Sequence, residues 1–131
     1  MEGIINNNIS FNESNIRHIK TDLDISETET QKLLLFNKNI TAIIYSEDIM
    51  AVGGVKACIN LNLNVPKDIN IVGFNNSIYS DISTPKISSI DNRIHDMCEK
   101  CTKTLYSMLM KEKVHYILNI TPKFVVKQST N

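Results

Sequence analysis

The sequence lacks most features that would assign an activity directly. It has no tryptophan, few glycines, and neither a glycine-rich phosphate loop nor a Gly-x-Ser-x-Gly nucleophile elbow. These absences argue against an enzyme and leave no catalytic residue to nominate. Fourteen basic residues balance fourteen acidic ones without a basic cluster. A DNA-binding domain needs a phosphate-neutralising surface, so this chain is not expected to bind DNA by itself.

Long apolar runs and a disulfide framework are also absent. No run approaches the ~20 apolar residues of a membrane span, and the polar N-terminus has no signal-peptide core. Three cysteines without framework spacing are typical of a reducing, cytoplasmic setting. Cys98 and Cys101 form a Cys-x-x-Cys pair, but a tetrahedral metal site needs four ligands. We therefore expect these two thiols to pack as small buried groups, with no metal or cofactor.

What the chain does contain is a repeated unit of a short apolar strand followed by polar residues. Residues 41–45 form a β-branched run that ends at residues 46–48 (Ser-Glu-Asp), and residues 69–74 form another that ends at residues 75–77 (Asn-Asn-Ser). A third candidate strand covers residues 16–20. Continuous apolar runs of this length are typical of parallel strands covered by helices on both faces.

The remaining pattern continues the alternation of strands and helices. Ser26 and Glu29 form a capping box ahead of an apolar helix. Asn62 follows a second helix where a left-handed cap residue is wanted. The further predicted elements are helices over residues 49–61 and 94–109, an exposed loop over 77–86, and strands over 87–90, 116–118 and 124–126. The chain thus fits one α/β domain, residues 1–131, with an open parallel sheet.

Polar side chains follow each of the three strands at the same edge of this sheet. In open α/β sheets, ligands bind in the crevice beyond the carboxyl ends of the strands. The side chains expected to meet there are Asp22, Glu47, Asp48, Asn75 and Asn76. Helix capping and the helix dipole are the alternative roles for the two acidic residues of the first unit. A local turn is the alternative for Asn75.

Four segments, taken in order, resemble the effector-binding domain of LacI/GalR transcriptional regulators: residues 41–51, 63–74, 84–90 and 122–130. The resemblance spans roughly residues 16–130. It implies the C-terminal lobe of a periplasmic-binding-protein type I fold, without the N-terminal lobe and the helix-turn-helix. Residues 1–15 would then be a helix tail and a linker. GntR-type regulators carry similar domains, so the type of DNA-binding head stays open.

The resemblance also implies a function and a site. The function is cytoplasmic sensing of a small, sugar-like effector by a homodimer that reaches DNA only through the absent N-terminal part. Family members commonly carry Asn at the position of Glu47 and Asp at that of Asn75, and many have a stacking aromatic residue at that of Leu23. Because amide and carboxylate are exchanged here, an amine-bearing ligand is an alternative to an ordinary hexose. Asp22 and Asp48 complete the implied ligand site.

The resemblance places the dimer surface on two segments: Met50, Gly53, Gly54 and Ala57 of the helix after Glu47, and residues Tyr79 to Ile82. Two other functions stay open. A solute-binding protein of a transport system would share the fold. A Mg²⁺-dependent receiver-like or phosphatase-like domain would use the carboxylates Asp22, Asp24, Glu47 and Asp48.

Overall fold

A computed structural model describes residues 12–115 and 117–131, in which helices alternate with the strands of one four-stranded sheet. A short 3₁₀ helix, Glu13–Asn15, comes first. The elements that follow are α1 (Leu23–Phe36), β1 (Ala42–Ile44), α2 (Asp48–Asn60), β2 (Asn70–Phe74), α3 (Ile78–Ile82), β3 (Ser88–Asp91), α4 (Ile94–Leu109) and β4 (Lys123–Val125). The helix tail predicted near the N-terminus and Tyr116 lie outside the described residues.

The sheet has the order β1-β2-β3-β4. Its first three strands are parallel, with Ile43 opposite Ile71 and Gly73 opposite Ser89, and β4 pairs antiparallel with β3. An antiparallel strand at the edge of a parallel sheet is common in α/β proteins. The predicted α/β fold is confirmed, and the carboxyl ends of β1, β2 and β3 meet at one edge.

The core lies between α2 and the sheet face that carries Ile71, which is fully buried. α1 packs closely on α2, because a Cβ added at Gly53 would collide with the Leu23 carbonyl oxygen of α1. On the opposite face of the sheet, the side chains of Ile44 and Phe124 remain 71% and 48% exposed. In the described part of the chain, the packed helices α1 and α2 thus lie on one side of the sheet.

The predicted capping box is wrong. α1 begins at Leu23 because the Asp22 carboxylate caps it, accepting a hydrogen bond of 2.9 Å from the Ile25 backbone N–H. Ser26 is instead fully buried inside the helix, and its hydroxyl donates to the Met50 carbonyl oxygen at 2.8 Å. A hydroxyl that was expected to start α1 therefore joins α1 to α2.

The predicted strand over residues 16–20 is also wrong, since these residues form no strand. Their apolar side chains, Ile16 and Ile19, are three residues apart and so do not follow the two-residue period of a strand. The segment runs beside β1, and a cavity of about 270 Å³ is lined by this segment, β1 and α1. Near the C-terminus, Ile117 and Leu118 lie in no strand and are 80% and 43% exposed.

Two further differences concern solvent exposure. The segment predicted as an exposed loop contains α3, in which Ser80 is fully buried. The amphipathic helix is present as α4, yet none of its residues is buried. Cys98 and Cys101 are exposed, so the expectation that they pack inside a core is wrong. No helix among the described residues has the length and apolar character needed to cross a membrane.

Candidate ligand site at the strand ends

Glu47 turns its carboxylate toward the neighbouring strand end. It occupies the N-cap position of α2 with extended backbone angles, yet its side chain makes no capping hydrogen bond. Its Oε2 instead accepts a hydrogen bond of 2.7 Å from the Asn75 side-chain amide. Acidic residues at an N-cap usually bond to the backbone N–H groups of the first turn. The observed orientation therefore favours a role at the sheet edge over helix capping.

Asn75 is held in place by its backbone conformation and by hydrogen bonds from both its backbone and its side chain. Its φ angle is 89°, in the left-handed region that Asn tolerates better than most residues. Its N–H donates to the Ile90 carbonyl oxygen at 2.8 Å, and its side-chain oxygen accepts from the Asn92 amide at 2.8 Å. Glu47, Asn75 and Asn92, here called the strand-end triad, thus form one hydrogen-bonded chain across the ends of β1, β2 and β3.

Asn92 is absent from the sequence-based prediction. A signal for it existed, because it directly follows β3 as Asn75 follows β2. All members of the strand-end triad are half-buried, so a ligand has access to them. The arrangement offers one carboxylate and two amides, a set that suits a polar small molecule with hydrogen-bond donors.

Asp48 has a different role from the one predicted. It is 1% exposed, and its Oδ2 accepts from the Ser77 backbone N–H and hydroxyl at 2.5 and 2.8 Å. Its Oδ1 accepts from the Ser89 hydroxyl at 2.6 Å. A side chain added at Gly73 would collide with this oxygen. The carboxylate is therefore committed to joining α2 with the residues after β2 and with β3, and a ligand cannot reach it in this conformation.

Asp22 and Leu23 lie at the start of α1. Asp22 is exposed and uses one carboxyl oxygen to cap the helix, and Leu23 is half-buried. No hydrogen bond among the described residues links either one to the strand-end triad. Their role in ligand binding remains a prediction.

The carboxylates do not assemble into a metal site. Over residues 12–115 and 117–131, no group of three or more His, Cys, Asp or Glu side chains could hold a metal ion. Asp48 is enclosed by serine donors, which leaves the predicted Mg²⁺ cluster without one of its ligands. The receiver-like or phosphatase-like alternative is therefore not supported.

The residues predicted for a dimer surface separate into two groups. Met50, Gly53, Gly54 and Ala57 are buried in the contacts of α2 with the rest of the chain, so they offer no exposed surface. Tyr79 and Ile82 of α3 are 41% and 67% exposed. The prediction for the four α2 residues is corrected by their burial, whereas the α3 segment remains available to a partner.

A second polar cluster fixes α3 to the C-terminal segment. The Lys127 ammonium, on a side chain that is 11% exposed, lies 3.0 Å from the Asp81 carboxylate. It also donates to Asn76 at 2.9 Å and to Ser80 at 2.7 Å. The hydrogen bond from Lys127 lowers the pKa of Asp81 below its ordinary value. This cluster thus joins the segment after β2 and α3 to the C-terminal segment.

Comparison with known proteins decides the family. A family model described as a periplasmic binding protein-like domain matches residues 8–130. The chain belongs to this family. One curated relative is the HTH-type transcriptional regulator MalR of Clostridium butyricum. It is 35% identical over 115 residues, and the match covers 86% of this chain and 34% of the relative. The ribose operon repressor of Halalkalibacterium halodurans is 28% identical, covering 86% of this chain and 35% of the relative.

Solved structures agree on the fold. A regulatory protein of the LacI family from Chloroflexus aggregans has a TM-score of 0.90 at 21% identity, covering 99% of this chain and 47% of that one. A LacI family regulator from Bifidobacterium animalis has a TM-score of 0.88 at 20% identity, covering 98% and 46%. The resemblance to LacI/GalR regulators is confirmed. This periplasmic binding protein-like chain spans about a third of the length of the curated relatives it matches.

Proposed function

We propose that this chain is the effector-binding part of a transcriptional regulator, with the effector held at the strand-end triad. The observation that carries the proposal is the Glu47 carboxylate, which turns away from its own helix to pair with Asn75 at 2.7 Å. A relative named as a ribose operon repressor supports a sugar-like small molecule. The chain performs no reaction in this proposal, because its polar groups hold a ligand and activate no nucleophile.

The proposal treats the chain as one lobe of a two-lobed sensor. The strand-end triad forms a single wall, and a polar ligand bound there would leave its other side in water. α4 supports a second lobe, because its apolar side chains remain exposed: Ile94, Leu105 and Leu109 are 55%, 58% and 72% accessible. An amphipathic helix normally buries such a face. Closure of two lobes on the effector would then shift the population of DNA-binding states in the full regulator.

A homodimer through α3 is part of the proposal. Tyr79 and Ile82 supply exposed apolar surface, and the Lys127 cluster holds their helix in place. Light scattering at tens of micromolar should give twice the mass of the chain. Ile82→Glu should return the monomer mass, and Leu105→Glu on α4 serves as the matched surface control. A monomer at every concentration would contradict the proposed dimer.

The ligand site is tested by amide chemical shifts on isotope-labelled protein. We expect ribose or cellobiose at millimolar concentration to shift the backbone amides of Glu47, Asn75 and Asn92. Asn75→Ala should abolish these shifts, because it removes the central member of the triad. Glu99→Gln should preserve them, because it changes an exposed carboxylate of α4 that has no contact with the triad. Shifts confined to the cavity lined by β1, α1 and residues 16–19 would place the ligand elsewhere.

A further inference from the structure

Building on the proposed function, we infer that the effector carries a protonated amine and that Glu47 is its counter-ion. The first observation is the state of the carboxylate. Glu47 is half-buried, and none of the ion pairs formed by residues 12–115 and 117–131 includes it. A carboxylate that is partly withdrawn from water without a cation is stabilised when a cationic group arrives.

The second observation is the hydrogen-bond inventory of the triad. Asn75 donates to Glu47 and accepts from Asn92, so one donor and one acceptor of its amide are already used. Oε1 of Glu47 has no hydrogen-bond partner among the described residues. An ionised carboxylate only accepts hydrogen bonds. The free position of the triad therefore suits a hydrogen-bond donor of the ligand.

The third observation is that neighbouring charges do not compensate Glu47. Asp48, the next residue, is enclosed by the hydroxyls of Ser77 and Ser89 and adds negative charge near the same helix start. Arg93, which follows the triad residue Asn92, is paired with Asp96. Neither arrangement supplies a cation to Glu47. Its carboxylate therefore favours a cation over an anion, and an ammonium over a neutral hydroxyl.

The expected preference has a definite size. A hydrogen bond between an ammonium and a carboxylate is about twice as strong as a neutral one. With solvent still reaching a half-buried site, we expect an amine-bearing sugar to bind about tenfold more tightly than its hydroxyl counterpart. A triad that recognises ordinary hydroxyl groups would show no such preference.

The test compares glucosamine with glucose and N-acetylglucosamine, which share a ring and differ in one substituent. Amide shifts of the labelled chain report the dissociation constant of each sugar and the residues affected. We expect glucosamine to shift Glu47, Asn75 and Asn92 at concentrations about tenfold lower than the two neutral sugars. Glu47→Gln should remove this preference while retaining an acceptor at the same position. Glu99→Gln, which removes one negative charge from the exposed face of α4, should leave the preference intact.

The outcomes separate the inference from the function on which it rests. Equal or tighter binding of the neutral sugars at the triad would overturn the amine inference and retain the proposed ligand site. An amine preference that survives Glu47→Gln would also overturn it, because the counter-ion would lie elsewhere. Absence of shifts at the triad with all three sugars, and with ribose and cellobiose, would overturn both proposals.

Discussion

Removing the Asp48 carboxylate should destabilise the chain more than any single surface change. Asp48 is 1% exposed and accepts three hydrogen bonds, two from Ser77 and one from Ser89, at 2.5 to 2.8 Å. These bonds join the start of α2 to the segment after β2 and to β3. The carboxylate therefore fixes the relative positions of the elements that carry the strand-end triad.

The magnitude follows from what each substitution leaves unpaired. Asp48→Ala leaves the Ser77 N–H and the hydroxyls of Ser77 and Ser89 without their acceptor. An unsatisfied buried group costs about 1–3 kcal/mol, and relaxation of the hydroxyls offsets part of the sum. We expect a loss of about 3–5 kcal/mol in the free energy of unfolding. Asp48→Asn keeps one oxygen as an acceptor, so its expected loss is about 1–3 kcal/mol.

The assay is urea unfolding followed by circular dichroism, with the slope m compared between variants. Asp24→Asn is the matched control, because Asp24 also lies in the first turn of a helix but is exposed. Its expected loss is within about 1 kcal/mol, the size of a surface helix-dipole effect. A loss below about 0.5 kcal/mol for Asp48→Ala would refute the role assigned to Asp48. Equal losses for the aspartates at both helix starts would refute the argument from burial.

Three further predictions concern thiols, a glycine and pH. Cys98 and Cys101 should react with an aromatic disulfide reagent in the native protein, whereas Cys58 should react only after unfolding, because burial raises its pKa to about 11. Three reactive native thiols would contradict this. Gly53→Ala should cost about 2–4 kcal/mol in urea unfolding, since its Cβ would meet the α1 backbone; a neutral effect would reopen Gly53 as a dimer residue. The contact with Lys127 lowers the pKa of Asp81, so it stabilises the fold at pH values above 3.8, the ordinary pKa of this carboxyl group. This stabilisation is lost as the pH falls below 3.8 and through the lowered pKa. Asp81→Asn should make the free energy of unfolding depend less on pH below 3.8. An unchanged pH dependence would contradict the ion pair.

The sequence predicts elements well where the local pattern and the tertiary contacts agree. The helix expected over residues 49–61 is α2, Asp48–Asn60, and Asn62 adopts the left-handed conformation with φ of 55°. The strand expected over residues 69–74 is β2, Asn70–Phe74. In both, apolar residues are buried and the flanking residues have strong local preferences. No long-range contact is needed to locate them.

Predictions fail where one residue type has two uses. Ser26 fits a capping box, but its hydroxyl instead lies between α1 and α2, where it donates a hydrogen bond to the Met50 carbonyl oxygen. The glycine pair of α2 fits a partner surface, yet Gly53 and Gly54 allow α1 and the Tyr45 ring to approach α2 within the same chain. A glycine in a helix indicates that another part of the protein packs closely against it, but the sequence does not indicate whether that part belongs to the same chain or to a partner.

The candidate site shows the same division between what is local and what is not. Glu47 and Asn75 can be found from sequence because Asn75 directly follows β2 and Glu47 lies three residues after the end of β1. Their hydrogen bond, however, depends on β1 and β2 being neighbours with Ile44 opposite Val72. That pairing explains how amide and carboxylate can be exchanged between the positions of Glu47 and Asn75. An Asn–Asp pair and a Glu–Asn pair can both form an amide-to-carboxylate hydrogen bond across the two strand ends. The exchange therefore preserves the bond between the strands while moving the negative charge from the end of β2 to the end of β1. In the proposed site, a ligand would keep the same hydrogen-bonded frame and meet the charge at a different atom, so we expect the exchange to change which ligand is bound and to leave the fold unchanged.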